Sequence, residues 1–159
     1  MSSQFSRAGL LASVVIAAVA IGLLKLPQES VRPNVLVVTI DTLRADHLGA
    51  YGFVLAHSDT IDQLAHEGTL YEEALSAAPI TLPSHSTIMT GLLPPAHGVR
   101  DNGAYALPDA ANTLDERLHD VGYATQAFVS AVVLAKRYNI QQGFEAYDDE
   151  LWGEEDPKL

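Results

Sequence analysis

The chain has 159 residues, 48% hydrophobic and 18% charged, a balance that excludes a disordered segment and permits one domain with a real core. Nine basic against 20 acidic residues give a formal net charge of −11, which argues against nucleic acid as the main partner. Cysteine is absent, so disulfides, thiolate metal sites and any cysteine-derived catalytic group are excluded.

The first predicted element is apolar. "AGLLASVVIAAVAIGLLKL" carries no charge from residue 8 to residue 24, the lower limit for a helix that spans a bilayer at ~1.5 Å per residue. We read residues 1–26 as one hydrophobic helix, an uncleaved signal anchor that holds the protein to the membrane on its exported side, periplasmic or extracellular. The alternative is a signal peptide cut after "AVA" at 18–20 to release a secreted protein, but that cut would leave the apolar "IGLLKLP" as the new N-terminus. "PQESVRP", residues 27–33, follows as a proline-bounded linker, and residues 34–159 form the domain.

Within the domain, "NVLVVTID" is a run of leucine and β-branched residues, expected as a parallel strand buried on both faces that ends at Asp41. "DTIDQLAHEG" reads as a helix with a capping box in Thr60 and Gln63, an apolar face of Ile61, Leu64 and Ala65, and a stop at Gly68. "TLYEEAL" reads as a short strand. "SHSTIMTG" has room for about two helical turns ending at Gly91. "NTLDERLHDVGY" repeats the helix grammar, with Thr113 and Glu116 as capping box, Leu114, Leu118 and Val121 as stripe and Gly122 as stop. "YATQAFVSAVV" is expected as a further buried strand, and "FEAYDDELWGEEDPKL" as a solvated acidic tail. Alternating strands and helices predict an α/β fold with a mainly parallel sheet flanked by helices.

Chemistry has two candidate positions. Asp41 closes the most hydrophobic strand, and ligands of open α/β sheets gather beyond strand C-termini. A carboxylate beside Thr42 is a hard oxygen donor suited to a divalent cation, although a turn or cap aspartate is the commoner use of such a residue. The second position is "APITLPSHSTIMTG", where Thr81, Ser84, His85, Ser86 and Thr87 crowd a helix start. A hydroxyl there faces orphan backbone N–H groups and the positive end of the helix dipole. Thr81 or Ser84 either caps the helix or attacks an anionic ester held at the same place, capping being the more frequent role.

Four segments in order are similar to the N-terminal part of the sulfatase family, within the alkaline-phosphatase superfamily: "NVLVVTIDTLRADHLGAYG", "DTIDQLAHEGTLYEEALSAAP", "TLPSHSTIMTGLLPPAHGVRDNG" and "TLDERLHDVGYATQAF". The resemblance covers roughly residues 34–150. It implies an alkaline-phosphatase-like fold and a metal-dependent hydrolase or transferase acting on phosphate, phosphonate or sulfate esters. Asp41 takes the place of the first metal-binding aspartate, and Thr42 the place of a second one. The signature Cys/Ser-x-Pro-x-Arg falls on Thr81, Leu82, Pro83, Ser84 and His85, so Thr81 stands where relatives carry the residue matured to formylglycine. With threonine there, formylglycine is not expected. The resemblance instead implies a Thr81 nucleophile beside a divalent metal ion (Ca, Mg, Mn or Zn) held by Asp41, Thr42 and Thr81, with His85 in the place of the catalytic arginine. Ser84 and Arg44 become candidate contacts to the anionic substrate, although an architectural role suits Arg44 better. His97 reads as structural, Asp101 and Asn102 as turn formers first and candidate contacts second. "GYATQAFVS" lacks the lysine and histidine that many sulfatases carry there.

Family members run to several hundred residues, and their remaining metal ligands lie in the later half. The expectation is therefore an incomplete N-terminal portion, inactive alone. A membrane-anchored binding module that keeps the fold without the chemistry is the competing reading.

Overall fold

The computed structural model describes residues 32–150, in which the chain forms α1 (Asp59–Glu67), α2 (Thr81–Thr90), α3 (Pro94–His97), α4 (Leu114–Asp120), β1 (Gln126–Phe128) and β2 (Ala146–Asp148). Short 3-10 turns at Ala45–His47, Gly49–Tyr51, Val132–Leu134 and Lys136–Tyr138 join them. The chain divides into two compact units at the Thr39–Ile40 bond, and every element named here belongs to the second. The hydrophobic helix expected over 1–26 lies outside the described residues. Among the described residues no helix is long and apolar enough to cross a membrane.

Local grammar holds best at α4. Thr113 Oγ1 accepts from the Glu116 N–H at 3.2 Å, and Glu116 Oε2 accepts from the Thr113 N–H at 2.8 Å. This reciprocal box satisfies two of the helix's orphan donors. Gly91 and Gly122 end α2 and α4 with positive φ, as their places predict. The box expected at Thr60 and Gln63 does not form. α1 starts two residues earlier, after Ser58, and Gln63 donates to Glu67. Ser58 and Asp62 reach instead to the preceding turn, where Asp62 Oδ1 accepts from the Ala50 N–H at 2.7 Å. That tertiary contact outweighs the local cap.

The apolar stripes also differ from expectation. Leu64 and Val121 are exposed, while the buried residue of α4 is Asp115. The core joins Leu82 of α2 to Val99, Leu107, Ala111, Leu134 and Ile140, with Met89, Val129 and Tyr147 packed against it. The sheet among the described residues has two parallel strands, with Ala127 paired to Tyr147. Parallel pairing agrees with the predicted sheet type, but three expected strands change. Residues 34–40 and 69–75 form no strand, and the one at 123–133 shrinks to three residues. An apolar run becomes a strand only where a neighbour takes its backbone hydrogen bonds, and β1 finds one partner. That partner, β2, lies inside the stretch expected as a solvated acidic tail.

Burial makes Asp115 a pH-dependent weakness. The residue is 6% exposed, its Oδ2 has no hydrogen-bond partner among the described residues, and burial pushes its carboxyl from about 3.8 up to about 6. A raised folded pKa means the native state holds the proton more tightly. The contribution is full below pH ~4 and is lost as pH rises through about 6. Asp115→Asn is therefore expected to gain on the wild type by up to about 3 kcal/mol between pH 4 and 7. Urea midpoints at the two pH values measure it, and a difference that stays constant would refute the assignment.

Candidate active site

α2 carries the hydroxyl cluster on its first turns, and its cap differs from what that sequence suggests. The N-cap is Ile80, with no side-chain cap, so neither Thr81 nor Ser84 plays that part. Thr81 is the first helical residue, and its Oγ1 donates to the Asp41 carboxylate, 3.0 Å from Oδ2 and 3.2 Å from Oδ1. Forty residues of sequence separate the two groups that the fold brings together. Beside them the Thr42 N–H donates to Asp41 Oδ1 at 3.1 Å, which fixes the carboxylate's orientation.

Thr42 occupies left-handed backbone, with φ 57°. A β-branched residue is strained there, at a cost of order 1–3 kcal/mol. Thr42→Gly is expected to raise unfolding stability by about 1 kcal/mol, because glycine's own flexibility offsets part of the relief. Urea denaturation measures it, and a loss of stability would show that the Thr42 side chain holds the turn.

The other predicted residues lie around this pair with different partners. His85 is buried, and its Nδ1–H donates to the Thr81 carbonyl at 2.9 Å, so it grips Thr81 by the backbone rather than by the hydroxyl. Ser76 donates to the Ala78 carbonyl at 2.7 Å, which leaves Ser84 as the donor in the 3.1 Å Ser84–Ser76 contact. Ser84 thus ties α2 to the loop before it. Arg44 is exposed and forks onto both oxygens of Asp46, at 2.8 Å through Nε. That ion pair supports the architectural reading. His97 is structural, as expected. Its Nδ1 accepts from the Val99 N–H at 3.1 Å, which leaves Nε2–H to donate to Thr87 Oγ1 at 3.1 Å, and burial lowers its pKa. One contact escaped the sequence. Asn102 Oδ1 accepts from the Leu82 N–H at 2.8 Å, a partner that "DNG", read as a turn first and a candidate contact second, does not specify.

A cleft of about 470 Å³, lined by Asp109, Asn112, Glu116, His119, Asp120 and Gly143 among others, lies apart from these residues. Glu116 is engaged in its cap, Asp109 with Asn139, Asn112 with Arg117 and His119 with Glu145.

The family model "Sulfatase" matches residues 33–157. The chain belongs to the sulfatase family. Its sequence is 29% identical over 125 residues to an N-acetylgalactosamine-6-sulfatase of Canis lupus familiaris, covering 71% of this chain and 23% of that one. It is 34% identical over 104 residues to human arylsulfatase D, covering 59% and 18%. A crystal structure of a candidate sulfatase from Bacteroides thetaiotaomicron superposes with a TM-score of 0.58 at 25% identity, over 67% of this chain and 23% of that one. The sulfatase chain in hand therefore has a sulfatase-like α/β fold and spans about a quarter of the length of such relatives. Sulfatases usually bind a divalent metal and typically use formylglycine. The exclusion of formylglycine, drawn from Thr81 and the absence of cysteine, has no support in these matches.

The residues present fit a metal in part. Asp41 and Thr81 are hard oxygen donors, of the kind Ca²⁺, Mg²⁺ and Mn²⁺ prefer. No group of three or more His, Cys, Asp and Glu side chains stands together among the described residues, so the donor set is incomplete.

Proposed function

We infer that this chain supplies the nucleophile side of a sulfatase-family ester hydrolase, with Thr81 Oγ1 as the attacking atom and Asp41 as its partner. The observation that carries this reading is the 3.0 Å hydrogen bond from Thr81 Oγ1 to the Asp41 carboxylate, made by a helix-start hydroxyl with no capping duty. The carboxylate lies within the reach required of a general base. As Thr81 attacks, its proton passes to Asp41, a bond forms from Oγ1 to the sulfur or phosphorus as the bond to the ester oxygen breaks, and the proton received by Asp41 is passed on to the leaving oxygen. Water then cleaves the bond to Oγ1 and frees the inorganic anion. His85 holds the Thr81 backbone during attack, and α2 presents its positive dipole end to the anion.

When bound, a divalent ion would neutralise charge on the ester and favour the Thr81 alkoxide. Asp41 and Thr81 would contribute to holding it, with Thr42 adding its backbone N–H to the carboxylate. Sulfate esters are the substrate class that the relatives' names support. Phosphate or phosphonate esters are the second reading, favoured by the residue type at 81. Threonine bears a methyl on Cβ, so oxidation at that carbon cannot yield an aldehyde, and the hydroxyl itself remains as the reactive group. The apolar segment at 8–24 anchors the protein on the exported side of the membrane. No observation favours the binding-module alternative.

The test is turnover of aryl sulfate against aryl phosphate, with magnesium or calcium supplied and then chelated. It uses the chain together with whatever its gene encodes downstream, wild type beside Thr81→Ala. Hydrolysis that persists unchanged in the variant would overturn the assignment.

A further inference from the structure

We propose that Asn102 is a positioning residue for Thr81: it caps α2 from a distant loop and so leaves the Thr81 hydroxyl to Asp41. The proposal rests on the reading of Thr81 as nucleophile.

The first turn of α2 has few ways to satisfy its backbone. Ile80, the N-cap, has no side-chain acceptor, and Pro83 at the third helical position has no N–H. The Ser84 N–H donates to the Ile80 carbonyl at 3.2 Å, the first bond of the helix. The Leu82 N–H, in the buried wall of the core, is taken by Asn102 Oδ1 at 2.8 Å from 20 residues away. The loop that carries Asn102 is clamped to the same helix five residues further on, where His97 Nε2 meets Thr87 Oγ1 at 3.1 Å. Between the two clamps lies Val99, fully buried. Asn102 is itself steadied by its N–H, which donates to Asp101 Oδ1 at 2.6 Å.

Thr-x-Pro-Ser at 81–84 has a competing local arrangement. If α2 began one residue later, Thr81 would be the N-cap and its Oγ1 would accept from the Ser84 N–H. That arrangement draws the hydroxyl off Asp41. With Asn102 serving the Leu82 N–H, the early start is stable and Thr81 keeps its extra-helical partner. The ordinary cap and the reactive hydroxyl are alternative uses of one atom, and a side chain from another loop decides between them.

NMR on the 159-residue chain tests this without any activity. Asn102→Ala is expected to speed exchange of the Leu82 amide at least ~10-fold relative to amides of α4, and to shift the Thr81 χ1 coupling constant toward a new rotamer. Asn102→Asp, whose carboxylate oxygen accepts from the same N–H, is expected to restore both. If the alanine variant does not fold, Asn102→Ser stands in, because its hydroxyl is one atom too short to reach Leu82. Unchanged Leu82 exchange overturns the proposal. Faster exchange with an unmoved Thr81 rotamer also overturns it, leaving Asn102 a plain cap. In the assembled enzyme the alanine variant is expected to lower kcat at least ~10-fold with KM within about twofold. Failure of the Thr81 reading appears separately, as activity that survives Thr81→Ala.

Discussion

Thr81→Ala is expected to lower kcat/KM for the ester substrate at least ~10³-fold, about 4 kcal/mol of transition-state stabilisation, with little change in fold stability. The two readouts together separate the possible roles of this residue. A helix-capping threonine replaced by alanine costs about 1 kcal/mol of stability and leaves chemistry alone. Thr81 is not the cap, and its hydroxyl engages Asp41 at the molecule's exterior, where a hydrogen bond contributes little to folding. Alanine at the first helical position is also a good helix former. The loss should therefore fall on catalysis. Thr81→Ser, which keeps the hydroxyl and removes the methyl, is expected to retain most of the activity. Parallel measurement of kcat/KM and of the urea midpoint decides it, and an alanine variant that loses stability while keeping activity would return Thr81 to a structural role.

Gly143→Ala is expected to destabilise the fold by about 2–5 kcal/mol. Gly143 has φ +84°, a conformation that costs a residue with a side chain about 1–2 kcal/mol. An added Cβ would also collide with the Glu116 backbone nitrogen and lie 2.6 Å from the Asp115 carbonyl carbon. These are main-chain atoms in the first turn of α4, held by the capping box, and cannot move aside as a flexible side chain would. Overpacking of this kind adds about 1–3 kcal/mol. The corner cannot retreat either. The Gly143 carbonyl accepts from Thr125 Oγ1 at 2.6 Å, and the Gln142 carbonyl accepts from Thr113 Oγ1 at 3.1 Å. Displacing it would pull Ala146 out of register with Gln126 and unpair β2. Urea denaturation gives the stability, and a change below about 1 kcal/mol would mean that the corner yields more freely than its hydrogen bonds allow.

Both variants mark the boundary between local and distant information. The α4 capping box and the glycine stops of α2 and α4 were readable because each is settled within three or four residues of the same segment. A helix ending at Gly91 was readable too, although its turns were expected from Ser84 and it starts at Thr81. Its cap was not, because the acceptor for Leu82 arrives from residue 102. The same cause explains α1, where Ser58 and Asp62 hold the 49–50 turn in place of the expected local box. It also explains Asp115. Nothing local marks this first-turn acid for burial, and the Gly143 corner packs against the backbone of Asp115 and Glu116.

Sequence by itself determined the family, through four segments in one order, and with it the two residues of interest, Asp41 and Thr81. It also determined which residues can end a helix and that none of these 159 residues is a cysteine. Tertiary structure alone decided that Thr81 meets the carboxylate rather than caps its helix, that His85 holds the Thr81 backbone and Arg44 holds Asp46, and that an acidic stretch supplies β2. The physical reason is the range of the forces involved. Periodicity and capping act over a single turn and are written in consecutive residues, whereas the use of a particular hydroxyl depends on which donors and acceptors the fold brings within 3 Å from 20 or 40 residues away.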